Sequence, residues 1–383
     1  MRRILWTTAA VLGLAMSANA QPAPTGQDMK CPLDGSLFQA PLGDPGDRSG
    51  GADSDECPHP MTSNPLAYIV VVCPRCNYAS LSNTFATAIP DAKRPDLLRV
   101  LAKSKYRDVA DPMTEIPLWE RYRLASQCAR VLDRPDERVA TLKFAVWSAR
   151  IEACRPGTLE VCRPVDVGNA VGVPGFTRSQ AVTHLAQRDS EGFPTRAVDD
   201  ALRDLDRKIA AAPKPEDKDR LTLALAMMDE RAGYPAKRDA AVAKLGEAAA
   251  SDPSIAAPLA RFKKLIEAEQ SFQSQLADEL KDRIAKDADR RAKAADGYLL
   301  ADGLRRLGRD KEAVAEYRAA RKLMSQPSDM RIYTDYFLTM LAPGEPLPVA
   351  ESEKAPEPGT PQFAPTPEKP ATNAPQTPVG EKK

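Results

Sequence analysis

The spacing of apolar residues changes twice along the chain. Up to about residue 90 they come in short runs broken by Gly, Pro and Asp, and "APLGDPGDRSGGADSDE" (40–56) excludes any regular element. "AYIVVV" (67–72), β-branched and bounded by turn residues, is the one run there that reads as a strand. From residue 91 the spacing becomes three and four, which is a helical period. "LWERYRLASQCARVLDRPDERVATLKFAVWSARIEA" (118–153) predicts two helices joined at "DRPDE", with Leu124, Cys128 and Val131 on one and Val139, Leu142, Phe144 and Val146 on the other. Residues 154–195 lose the period. It returns at about 196, and Phe262, Leu265, Ile266, Phe272, Leu276, Leu280 and Ile284 then form a stripe that reads as core. From Ala342 onward the chain is Pro-rich and poor in apolar residues.

These changes divide the sequence into a signal peptide (1–20), a linker (21–30), a Cys-bearing ribbon (31–90), a helical pair (91–153) and an irregular insertion (154–195). A helical domain (196–341) and a disordered tail (342–383) follow. The fold class expected is mainly α, with a small zinc-ribbon-like segment ahead of an antiparallel helical array.

The ends and the charge narrow the function classes. Arg2 and Arg3, the apolar stretch "ILWTTAAVLGLAM" and "ANA" before Gln21 make an export signal too short to span a bilayer. The expected location is therefore periplasmic or secreted, without membrane insertion of the mature chain. Removing Arg2 and Arg3 from the 54 basic residues leaves 52 against 53 acidic ones, which gives no electrostatic footprint for nucleic acid.

Helical pairs recur. "YLLADGLRRLGRDKEAVAEYRAARKL" (298–323) resembles a tetratricopeptide (TPR) unit, with Ala301, Gly308, Ala313, Tyr317 and Ala320 at its small and aromatic positions. Ala226, Gly233, Ala241, Leu245, Ala248 and Pro253 form a weaker copy with three extra residues in its turn. Tyr298, Asp302 and Arg305 lie at i, i+4 and i+7 and share a face. The TPR resemblance puts that face in a concave groove, where Arg305 and Arg306 would grip a carboxylate of an extended protein partner.

"CPLDGSLF" (31–38), "DSDEC" (53–57), "NPLAYIVVVCPRCNYA" (64–79) and "RYRLASQCARVL" (121–132) together resemble a bacterial family known only as a domain of unknown function. In that family a CPxCG knuckle, an acidic loop with a Cys and an NPxxYxVxVCPxCGYA block precede TPR-like helices. Asp34 stands where the family has its second knuckle Cys, and Asn77 replaces a Gly. The resemblance implies an architecture and a metal, and no reaction.

Seven cysteines supply the candidate chemistry. Each Cys-x-x-Cys turn aims two thiolates at one ion, and four donors close a tetrahedron. Cys31, Cys57, Cys73 and Cys76 are the expected ligands of a structural Zn²⁺, with Asp34 as a substitute oxygen ligand and His59 as a further donor. Export favours disulfides instead, Cys31–Cys57 and Cys154–Cys162, with Cys128 left buried. A third reading makes Cys73 and Cys76 the redox pair of a periplasmic thiol–disulfide oxidoreductase. Two histidines leave little for a His-based triad, and His184 reads as a surface helix residue. The function expected is an exported, non-enzymatic protein-interaction scaffold.

Overall fold

In a computed structural model of the chain, the described residues are 26–41, 52–58, 64–106, 109–154, 196–324 and 328–350. They form a mainly helical protein with two small hairpins at its N-terminal end. The leader, His59, Cys162, His184 and nearly all of the irregular insertion lie outside the described residues.

Strand β1 (Gly26–Lys30) pairs antiparallel with β2 (Leu37–Pro41), Gly26 opposite Pro41 and Lys30 opposite Leu37. The expected linker at 21–30 therefore ends as a strand. "AYIVVV" is only half strand. Pro65–Tyr68 forms a 3₁₀ turn capped by Asn64, and β3 is Val70–Val72, antiparallel to β4 (Ala79–Leu81). Pro65 opens that turn because its missing N–H and fixed φ suit a helical first position. Strand β3 is buried on both faces, since alternate side chains point opposite ways. Val71 joins a small core with Met29, Leu33, Phe85 and Leu97, while Val70 and Val72 join the large helical core.

The helices are α1 (Arg94–Leu101), α2 (Pro112–Glu115), α3 (Leu118–Val131), α4 (Pro135–Ala153), α5 (Arg196–Ala211) and α6 (Pro215–Ala232). They continue as α7 (Pro235–Ala249), α8 (Pro253–Lys286), α9 (Arg290–Arg306), α10 (Asp310–Leu323) and α11 (Asp329–Leu341). The long α8 lies against α4, α7 and α9, and the apolar stripe from Phe262 to Leu280 is buried as its spacing predicts, with Ile284 at the edge. No helix among the described residues is long and apolar enough to cross a membrane.

Three helix pairs, α3/α4, α6/α7 and α9/α10, turn in the same way. A residue one or two positions past the first helix of each pair is left-handed: Asp133 (φ 54°), Gly233 (φ 73°) and Gly308 (φ 73°). The next amide reaches back five residues, Arg134 N to Ala129 O (3.0 Å), Tyr234 N to Asp229 O (2.8 Å) and Arg309 N to Leu304 O (2.9 Å). This closes the orphan carbonyls of each helix end. The upstream copy thus has no three-residue insertion. Arg238, buried and paired with Glu230, occupies the place that Ala313 takes five residues after Gly308. The tail expected from Ala342 also begins later, because Glu345 pairs with Arg318 and Ala350 is buried. Residues 351–383 lie outside the described residues.

Candidate metal centre

"CPLDGS" and "CPRCNY" fold into the same loop at the tips of the two hairpins. In the first, Cys31 N donates to Ser36 O (2.9 Å) and Gly35 N to Cys31 O (2.9 Å); in the second, Cys73 N donates to Tyr78 O (2.8 Å) and Asn77 N to Cys73 O (3.0 Å). Gly35 (φ 76°) and Asn77 (φ 60°) occupy equivalent left-handed positions, a conformation that Gly and Asn accept more readily than other residues. Asp34 therefore holds the position in the first knuckle that Cys76 holds in the second.

The knuckles bring Cys31, Asp34, Cys73 and Cys76 together, with one ligand atom from each inside a group no wider than 4.8 Å. Cys31 Sγ lies 3.6 Å from Cys76 Sγ, and Cys73 Sγ lies 3.9 Å from both carboxylate oxygens of Asp34. A metal–sulfur bond of about 2.3 Å gives a tetrahedron with edges of about 3.8 Å, so the donor set fits one tetrahedral ion. Ser36 orders the edge of the site. Its N and Oγ donate to Asp34 Oδ1 (3.0 and 2.7 Å), and its Oγ is 3.2 Å from Cys73 Sγ. Arg94 anchors the first knuckle from outside through Leu33 O (2.9 Å).

The thiols share protons unequally. Hydrogen bonds from Cys31 and Cys76 push the Cys73 thiol down to about 2. The bond to Cys73 pushes Cys31 up to about 12, and Cys76 is pushed up by its bonds to Cys31 and Cys73. The cluster stabilises negative charge on a sulfur, as a thiolate metal ligand needs.

Cys57 is not part of this cluster, which corrects the expected four-thiolate set. Its thiol is buried in the large core, 3.9 Å from Trp147 O, and burial pushes it well up. It is held there because the acidic loop around it plugs into the helices. Arg150, with no exposed surface, donates to Asp53 (3.1 Å), Asp55 (2.9 Å) and Glu269 (2.8 Å), and Trp147 Nε1 donates to Asp55 (3.1 Å). Cys31 and Cys57 are both free thiols in separate cores, so the Cys31–Cys57 bridge does not form.

The same loop occupies the expected partner groove. Tyr298, Asp302, Arg305 and Arg306 do share a face of α9, but all four are buried, and the groove reading is corrected. Tyr298 Oη donates to Ser54 O (2.6 Å), and Ser54 Oγ donates to Asp302 (2.9 Å) while accepting from Arg305 (3.2 Å) and Arg306 (3.0 Å). Both arginines also cap the C-terminal carbonyls of α6, Arg305 at Ala232 and Gly233 and Arg306 at Glu230 and Arg231. A Cβ on Gly233 would lie 2.5 Å from the Arg305 guanidinium, so that turn needs glycine for space as well as for φ. Burial pushes Asp302 up, but Arg305 and Arg306 outweigh it and hold the carboxyl below its usual range.

Sequence reasoning did not find Arg150 or its carboxylate partners. The signal was present as a charged residue inside "FAVWSARIEA", where an arginine on an apolar helix must be paired to be buried. Of the remaining cysteines, Cys128 is a buried free thiol, and Cys154 is free, 3.5 Å from Met227 O.

The fold and site together define a two-knuckle, cysteine-rich segment, able to hold a metal ion, built onto a helical body. Residues 25–150 match the family described as "Uncharacterized protein conserved in bacteria" (DUF2225), which is the stretch carrying the knuckles, the acidic loop and the first helix pair. No curated protein and no solved structure matches the chain.

Proposed function

We propose that Cys31, Asp34, Cys73 and Cys76 hold a structural Zn²⁺, and that the chain is an exported, non-enzymatic scaffold whose TPR-like helices receive a protein partner. The observation that carries the metal reading is the matched hydrogen-bond frame of the two knuckles, which converges four donors at tetrahedral spacing. Three thiolates and a carboxylate would close the coordination of the ion, which is the mark of a structural site. The export signal supports the location, and the near-neutral charge supports a protein partner over nucleic acid.

The oxidoreductase alternative draws on the low thiol pKa of Cys73. That sulfur is wholly buried, however, and an attacking thiolate must be reachable. The partner surface of a scaffold would lie away from Tyr298 to Arg306, whose face the acidic loop fills.

The test is metal content of the full chain after export. One zinc per chain is expected, lost in Cys73→Ser and retained in Cys57→Ser. Metal-free protein with its thiols still titratable would overturn the zinc reading.

A further inference from the structure

We propose that Asp34 is an exchangeable fourth ligand and that the position it vacates takes an exogenous thiolate. This rests on the zinc reading above and adds the ligand chemistry of the site.

The matched knuckles make the asymmetry plain. One position in a four-donor frame carries oxygen, and the other three carry sulfur. Three thiolates make a soft site, for which sulfur is the preferred fourth donor and a carboxylate the weaker one. Two of the three sulfurs are also held more firmly. Cys31 and Cys73 are buried at the bases of their knuckles, each with its own N–H and C=O tied into the loop.

Asp34 has somewhere to go. Its Oδ1 already accepts from Ser36 N (3.0 Å) and Ser36 Oγ (2.7 Å), so a carboxylate that leaves the ion keeps two hydrogen bonds. Releasing a buried thiolate would instead strand a charge in a core. Lys30 and Arg75, each the residue just before a sulfur ligand (Cys31 and Cys76), are both exposed. A thiol that also carries a carboxylate meets favourable charge there.

The exchange balances without a redox step. The incoming thiol loses its proton to buffer, a metal–sulfur bond forms, and the bond to Asp34 oxygen breaks. One anionic ligand replaces another, so the charge of the centre is unchanged. The thiolate comes either from a small carboxylate-bearing thiol or from a cysteine in a partner peptide.

The experiment uses the full chain loaded with Co²⁺, whose thiolate-to-metal charge-transfer band grows with the number of bound sulfurs. The parent protein should show a three-thiolate band. Millimolar reduced glutathione, or separately a short cysteine-containing peptide, should raise it by about a third with the cobalt retained, and whichever acts at lower concentration identifies the source. Asp34→Cys should start at the four-thiolate intensity and not respond. Asp34→Ala should bind cobalt and respond as the parent does. A three-thiolate parent that neither thiol changes, or that loses its cobalt to them, overturns the exchange and leaves the zinc reading standing. A parent that binds no cobalt, or binds it with fewer than three sulfurs, overturns both.

Discussion

The knuckle cluster around Cys73 and the loop socket around Arg150 both gather acidic groups from distant parts of the chain, and they differ in what stands beside them. In the socket the countercharge comes from the protein: Arg150 answers Asp53, Asp55 and Glu269, and Arg305 and Arg306 answer Asp302. In the knuckles the donors face one another, in a group able to hold a metal ion. The first is complete when the helices pack. The described loop at 52–58, which falls between β2 and β3 in the sequence, enters the socket.

The sharpest break of this comparison is Arg150→Ala, which leaves buried carboxylates without their guanidinium. Removing one partner of such a group costs about 3–5 kcal/mol, so denaturant unfolding followed by helical signal should shift accordingly. A loss under about 1 kcal/mol would mean that the socket is solvated and does not hold the loop.

Metal removal should act locally. Chelation of the loaded protein is expected to speed amide exchange at Cys31, Gly35, Cys73 and Asn77 by about tenfold or more, while Asp53, Glu56 and Cys57 stay protected. Those two sets of amides are hydrogen-bonded within the knuckles and within the loop respectively. Joint loss would show one cooperative unit in place of two.

The smallest effect concerns a buried carboxylate near the socket. Burial pushes Asp229 up to about 7 from an ordinary 3.8, with Lys237 offsetting part of the rise. The folded chain then keeps a proton that the unfolded chain has lost, so stability falls as pH rises from about 4 to 7. Asp229→Asn should leave Tm unchanged at pH 4 and raise it at pH 8, by about 2–4 °C per kcal/mol recovered. An equal change at both pH values would show that charge is not the cause.

What could be read from the sequence was what short spacings encode. The helix pairs, the Gly308 turn, the core stripe of α8 and the "CPRC" knuckle all follow from contacts within a few residues. Three of the four expected ligands lie in the cluster, and Asp34, the expected substitute, takes the place of Cys57. Cysteine content favoured Cys57, yet the three-residue spacing of Asp34 from Cys31, and the Gly35 and Asn77 that follow each knuckle, decide the geometry. The face of Tyr298, Asp302 and Arg305 was correctly grouped, but its occupant comes from the other end of the chain. Helical periodicity reports which residues share a face and says nothing of what fills it.

The contact between Ser54 and Asp302 joins residues 248 positions apart, which matters for how the chain is made. At synthesis rates of roughly 5–20 residues per second, the acidic loop would wait about 12–50 s before helix α9 existed to receive it. Loop closure over such a separation is also a late event in folding. During that interval Ser54 would lack its α9 partners, while Asp53 and Asp55 would already have Arg150 of α4 to pair with. A chain truncated before α9 should therefore keep the Arg150 side of the socket and lose the Ser54 side, which closes only once most of the protein has been made.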